Sequence, residues 1–219
     1  MPDVVLISGS GAYADPWHHF PATSARIAGI IEGLGYTVRV TEDVEAGLAS
    51  PGPCRLLVVN IGNPSNKRPH EVVEAARAGI EDHVSVGGAI LGVHSSATSL
   101  TTLPAWPVIL GGRWVGGHSM HPPQSRTSIS ITAVDHPITS GTTDFEIFDE
   151  RYSYLETQPD ITVLCEHWYN NIRHPVVWAR ETDRYRVVYD GLGHDTASYD
   201  STGHVQLLRR IVRWLMRAL

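Results

Sequence analysis

Residues 87–100 read GGAILGVHSSATSL. Ala89 to Val93 is an apolar run of the kind that forms a strand buried on both faces, and it gives way at Gly92-Val93-His94-Ser95 to small, helix-compatible residues. A strand that breaks into a helix through a tight turn is how many α/β enzymes present a nucleophile. Here the residue at the turn is a histidine, which serves proton transfer or metal binding better than covalent attack.

Upstream, the same texture recurs. Val4-Val5-Leu6-Ile7 is a continuous apolar run ending in Ser8-Gly9-Ser10-Gly11, as a buried parallel strand would. Ile27, Ile30, Ile31 and Leu34 then share a helical face that Gly35 closes, and Tyr36 to Val40 alternates like a strand. Leu56 to Asn60 is a further buried strand. Pro69 suits the first turn of a helix whose Val72, Val73, Ala76 and Ile80 lie on one side.

Downstream, PAWPVILGGRWVGGHSMHPP (residues 104–123) holds so many prolines and glycines that no regular structure is expected in it. Ser125 to Val134, Ile161 to Cys165, Val176 to Ala179 and Tyr185 to Tyr189 read as strands. The chain closes with an amphipathic helix, Val205, Leu208, Ile211, Val212, Leu215 and Leu219 facing inward. Arg209, Arg210, Arg213 and Arg217 lie away from that stripe as a solvated face. The pattern predicts one α/β domain over residues 1–219, a doubly wound, mostly parallel sheet with helices on both faces and an antiparallel β elaboration.

Composition narrows the function classes. The 219 residues are 42% hydrophobic and 18% charged, which is globular, and a net charge of −6 argues against a nucleic-acid partner. No apolar run reaches membrane-spanning length and the start MPDVVLIS lacks a signal-peptide pattern, so a cytoplasmic protein with no membrane partner is expected. Cys54 and Cys165 are read as buried thiols. A homodimer is the base-rate expectation for assembly.

In open parallel sheets ligands bind beyond the carboxyl ends of the strands. Strand one runs into GSGAYADPWHHF with Trp17 and His18, the elbow strand into His94, and the last strand into GLGHD with His194. DFEIFDERY brings Glu150 close to another strand end, and the Gly-rich loop brings Trp114 and His118. Histidine with carboxylate supplies either acid–base catalysis near neutral pH or ligands for a divalent metal. His121 before Pro122-Pro123 reads as a structural or surface residue, and His136 as shaping a turn before Pro137. His83, His167 and His204 carry no supporting context. No compact metal motif occurs, so a metal reading rests on convergence of distant residues.

The motifs GGAILGVHSSATS, GGRWVGGHSMHP, DHPITSG, FDERY, HPVVWARE and YDGLGHD, in that order, resemble the trehalose-utilisation (ThuA-like) family of the class I glutamine amidotransferase-like superfamily. In glutamine amidotransferases a cysteine stands where this chain has His94, and the catalytic histidine matches His194. Without the thiolate, glutaminase activity is not expected. The resemblance implies a flavodoxin-like fold and an enzyme of carbohydrate catabolism acting on a sugar or keto-sugar derivative, by hydrolysis, elimination or isomerisation.

Carried onto this sequence, the resemblance points to His94, His194 and Glu150 as catalytic, with His94 or His194 as base and Glu150 as proton donor or orienting group. His18, Trp17, Trp114 and His118 would bind substrate. If a divalent metal such as zinc or manganese is the cofactor, His118, His94, His194 and Glu150 are the expected ligands. Two rivals stand beside this: Ser95 or Ser96 as an acyl-transfer nucleophile, and a non-catalytic sugar-binding or regulatory module on a degenerate amidotransferase scaffold.

Overall fold

In a computed structural model describing residues 1–219, the elbow strand lies in the middle of a nine-stranded sheet. Along the chain the elements are β1 (Val4–Ser8), α1 (Phe20–Glu32), β2 (Val38–Thr41), α2 (Val44–Ala49), β3 (Leu56–Asn60), α3 (His70–Ser85) and β4 (Ala89–Val93). Then come α4 (Ala105–Leu110), β5 (Gly112–Arg113), β6 (Ser125–Ile131), β7 (Phe145–Asp149), β8 (Glu156–Thr157), β9 (Thr162–Tyr169), β10 (Ile172–Glu181), β11 (Arg186–Asp190) and α5 (Thr202–Leu215).

The sheet order is β2-β1-β3-β4-β11-β10-β9-β6-β7. The five strands from β2 to β11 are parallel, and from β11 onward every pairing is antiparallel. β5 and β8 form a separate two-stranded ribbon. Alternation along each parallel strand feeds two cores. Val4, Leu6, Val58 and Leu91 pack with α1 and α5, while Val5, Ile7, Leu57 and Ile90 pack with α2, α3 and α4. This is the doubly wound arrangement, and it explains why β1, β3 and β4 read as unbroken apolar runs: all five residues of each are buried. No helix is long and apolar enough to cross a membrane.

The structure departs from the sequence reading in several places. Residues 145–149 form β7, which the sequence pattern does not single out as a strand, and Cys54 is only half-buried while Cys165 is buried. Residues 105–110 form α4 although Pro104 and Pro107 flank and enter them. Pro104 is the N-cap and Pro107 falls in the first turn, where a missing N–H costs no helical hydrogen bond. The crossover between β2 and β3 contains α2, too short to show a period and set by its Asp43 cap, whose side chain accepts from the Ala46 N–H. Leu219 is exposed beyond the end of α5; the helix buries Leu207 and Trp214 along with Leu208, Ile211, Val212 and Leu215.

Candidate metal centre

The carboxyl ends of β1, β3, β4 and β11 are neighbours, so their loops do share one rim. At its centre His94 follows β4 with φ +40°, the left-handed region that costs an L-residue about 1–2 kcal/mol. The neighbourhood holds it there. Its Nδ1–H donates to the Gly191 carbonyl at 2.8 Å, and its own carbonyl accepts from the Tyr189 hydroxyl at 2.8 Å. The Tyr152 ring packs over the imidazole at 4.2 Å between centroids. His94 caps nothing: the following turn, His94–Ala97, is a short 3-10 segment with no side-chain cap. The Ser95 hydroxyl donates to the Ile61 carbonyl at 2.9 Å and the buried Ser96 hydroxyl has no hydrogen-bond partner, so neither serine is joined to a histidine as the acyl-transfer reading requires.

His18 enters from the β1 loop. Asp15 builds an Asx-type turn by accepting the N–H groups of Trp17 and His18, both at 2.9 Å. The same carboxylate receives His18 Nδ1–H at 2.8–2.9 Å. That bond fixes the tautomer and leaves the lone pair on Nε2. Burial, reinforced by His94 nearby and only partly offset by Asp15, lowers the ring to about 4, so it is neutral at physiological pH.

Glu150 and His194 come from strands far apart in the sheet. β7 lies four positions from β11, roughly 19 Å at the usual strand spacing. Yet the two strand ends touch, because the antiparallel half curls around α5. Asp149, fully buried, closes the junction: its carboxylate accepts from Gly193 N–H at 2.7 Å, His194 N–H at 3.2 Å and Glu150 N–H at 2.8 Å. One carboxylate thereby orients the backbone of two site residues.

The result is a cluster in which one donor atom each from His18, His94, Glu150 and His194 lies within 4.8 Å of the others. Glu150 Oε2 is 3.6 Å from His94 Nε2 and 3.2 Å from His194 Nδ1. His18 Nε2, His94 Nε2 and His194 Nδ1 are buried and have no hydrogen-bond partner. Burial opposes the Glu150 carboxylate, but the His194 and His94 rings outweigh it and hold the group well below the usual carboxylate range. Burial likewise opposes the His194 cation, and Glu150, Asp149 and Asp195 outweigh it to raise that ring.

Three orphaned imidazole nitrogens facing one carboxylate oxygen suit a divalent transition metal. Two of the three rings have their outer nitrogen pinned, His18 by a carboxylate and His94 by a backbone carbonyl, the usual outer support of metal-bound histidine.

The sequence-derived residues distribute unevenly. His94, His194, Glu150 and His18 converge. His118 lies outside the cluster: the Gly116-Gly117 turn carries it to the exposed surface, its ring 5.8 Å from Tyr154. Trp114 packs edge-on against Tyr152 at 4.8 Å, beside the cluster, and Trp17 is 71% exposed next to His18. Sequence reasoning passed over Asp15, for which the D-P-W-H spacing to His18 was a usable signal. His121, read as structural or surface, is indeed exposed, yet its Nδ1 is 3.4 Å from Glu150 Oε1 and its ring stacks on Tyr152. His83 and His167 donate to backbone carbonyls within the core, and His136 Nδ1 accepts the Ile138 N–H in its turn.

Comparison with known proteins places these features. The ThuA family profile, described as trehalose utilisation, matches residues 4–215. No curated protein matches in sequence. Among solved structures, a ThuA-like protein from Parabacteroides merdae superposes with a TM-score of 0.79 at 17% identity, covering 100% of this chain and 91% of that one. A ThuA-like protein from Bacteroides uniformis gives 0.76 at 18%, covering 97% and 90%. A β-galactosidase from Rahnella sp. R3 gives 0.65 at 12%, with this whole chain matching 32% of the enzyme. At these identities the structural matches establish the fold.

Proposed function

The chain belongs to the ThuA family, described as acting in trehalose utilisation, and from that premise we propose a metal-dependent enzyme acting on a sugar or keto-sugar derivative. The observation that carries this reading is the convergence of three partnerless buried imidazole nitrogens on the Glu150 carboxylate. His18, His94, His194 and Glu150 would hold the ion, in place of the set containing His118. A zinc- or manganese-class ion bound there supplies Lewis acidity toward a sugar oxygen.

The remaining groups belong to the chain itself. Asp15 and the Gly191 carbonyl keep His18 and His94 in the tautomer whose Nε2 points inward. His121 stands beside Glu150 without being one of the four donors. Its Nδ1–H is engaged by the Pro122 carbonyl at 3.1 Å, so Nε2 is the atom left to accept a hydrogen bond or a proton from substrate. Proton abstraction next to a keto group is the chemistry such a base performs. Tyr152 and Trp114 form an apolar wall that limits water at the cluster, and the exposed Trp17 indole offers a flat face for a pyranose ring.

The test is elemental analysis of tag-free protein alongside turnover of 3-keto-glycosides with added zinc or manganese. The expected result is one ion per chain, lost in His18→Ala and His194→Ala and kept in His118→Ala, with activity following the ion. Metal-free protein that turns over keto-sugars at full rate would overturn the metal assignment. Sugar binding with no product under any metal would favour a non-catalytic module.

A further inference from the structure

His204 sits in the first turn of α5, completely buried, and is not one of the four donors. Its Nε2 is 2.9 Å from Asp190 Oδ2 and its Nδ1 is 3.1 Å from the Ser198 carbonyl. The Ser198 carbonyl can only accept, so Nδ1–H donates to it, and a carboxylate at Asp190 takes the second ring N–H, which makes the ring an imidazolium paired with a buried carboxylate. Asp190 itself is 2% exposed and accepts the Leu192 N–H at 3.1 Å through its other oxygen. Burial disfavours the His204 cation, but Asp190, together with Asp149 and the Ser198 carbonyl, outweighs this and raises its pKa.

The two acceptors bracket one segment. Asp190 ends β11 and Ser198 lies in the turn before α5, and the chain between them carries Gly191, whose carbonyl sets the His94 tautomer, then Gly193 and His194. A neutral imidazole at 204 carries one N–H and can donate to one end of this segment, not both, and no other side chain places two donors at the opposite edges of one rigid ring. We propose that His204, as an imidazolium bridging Asp190 and Ser198, is a positioning residue that holds the 190–198 segment in the geometry His94 and His194 need. The proposal rests on the metal reading for its effect on affinity, but its effect on the segment is independent of it.

The experiment compares wild type with His204→Gln and Asp190→Asn, with His83→Gln as a control that removes another buried histidine, one that bonds the opposite end of β4. Two quantities are read: amide hydrogen exchange at Gly193 and His194, and zinc affinity by chelator competition. Exchange at those amides should accelerate at least about ten-fold in both test variants, and zinc affinity should fall about ten-fold, the scale of outer-shell effects. His83→Gln should change neither, even if it lowers Tm as much. Exchange in the two test variants that matches His83→Gln would overturn the proposal, as would unchanged zinc affinity in a chain that binds zinc. Accelerated exchange in a chain whose wild type binds neither zinc nor manganese would leave His204 as the brace of the segment and remove the metal reading instead.

Discussion

Asp15→Asn tests the metal reading without touching any of the four donors. The Asp15 carboxylate accepts His18 Nδ1–H through both oxygens, at 2.8 and 2.9 Å, and one oxygen also caps the Trp17 and His18 N–H groups. Asparagine keeps one oxygen, and the two backbone donors claim it. Its amide group then faces Nδ1 as a donor. His18 can accept that bond only by moving its proton to Nε2, which blocks the lone pair aimed at the cluster. Loss of such an outer partner costs roughly 10–100-fold in metal affinity, or about 1.4–2.7 kcal/mol. The assay is zinc competition against a chromophoric chelator at fixed pH, with unfolding of the metal-stripped protein as a control for global damage. A weakening of that order with little change in apo stability is the expected outcome. Affinity within about two-fold of wild type would show that the His18 tautomer does not matter, and the argument from convergent lone pairs would fail.

Three other perturbations follow from the same geometry. With metal stripped, His94→Gly should be more stable than His94→Ala by about 1 kcal/mol in urea, because φ at this position is +40° and only glycine adopts it freely; equal midpoints would refute strain at the elbow. His167 is fully buried and burial lowers its ring to about 4, an effect the Tyr152 carbonyl only partly offsets. The unfolded chain therefore binds the proton first, so this residue's contribution to stability is complete above about pH 6.5 and is lost as pH falls toward 4. It amounts to a few kcal/mol at most, and His167→Gln should show a shallower acid limb than wild type in pH-dependent unfolding. Trp17→Ala removes an indole that the fold leaves 71% exposed, so KM for a sugar substrate should rise several-fold while metal content and Tm hold; an unchanged KM would take Trp17 out of the binding surface.

Most of the sheet was legible because its parallel half is buried on both faces. Such strands must be apolar throughout, and Leu56–Asn60 and Ala89–Val93 could be bounded to the residue. The rim rule then needed only the strand ends to gather His18, His94 and His194. Glu150 was harder: its place depends on how far the antiparallel half curls, which no local pattern encodes. His118 and His121 were ranked in the wrong order for a related reason. Both lie in a loop whose path is set by glycine turns and by distant partners, the Ala97 carbonyl for Trp114 and Ser153 for Met120, and sequence alone gives no direction to either ring. The short helices α2 and α4 escaped because six residues hold too little periodicity to stand out from a loop.

The curl that brings β7 back to β11 also bears on how the molecule comes into being. His18, His94 and His194 can be gathered by adjacent parallel strands, but Glu150 reaches them only after β10, β9, β6 and β7 have added in turn and wrapped α5. Pairings between remote parts of a chain are the slow ones. The fourth donor should therefore be the last to arrive, and a half-assembled chain would offer a passing ion only a three-nitrogen grip. Burst-phase and late-phase metal capture during refolding would then time the closure of the sheet.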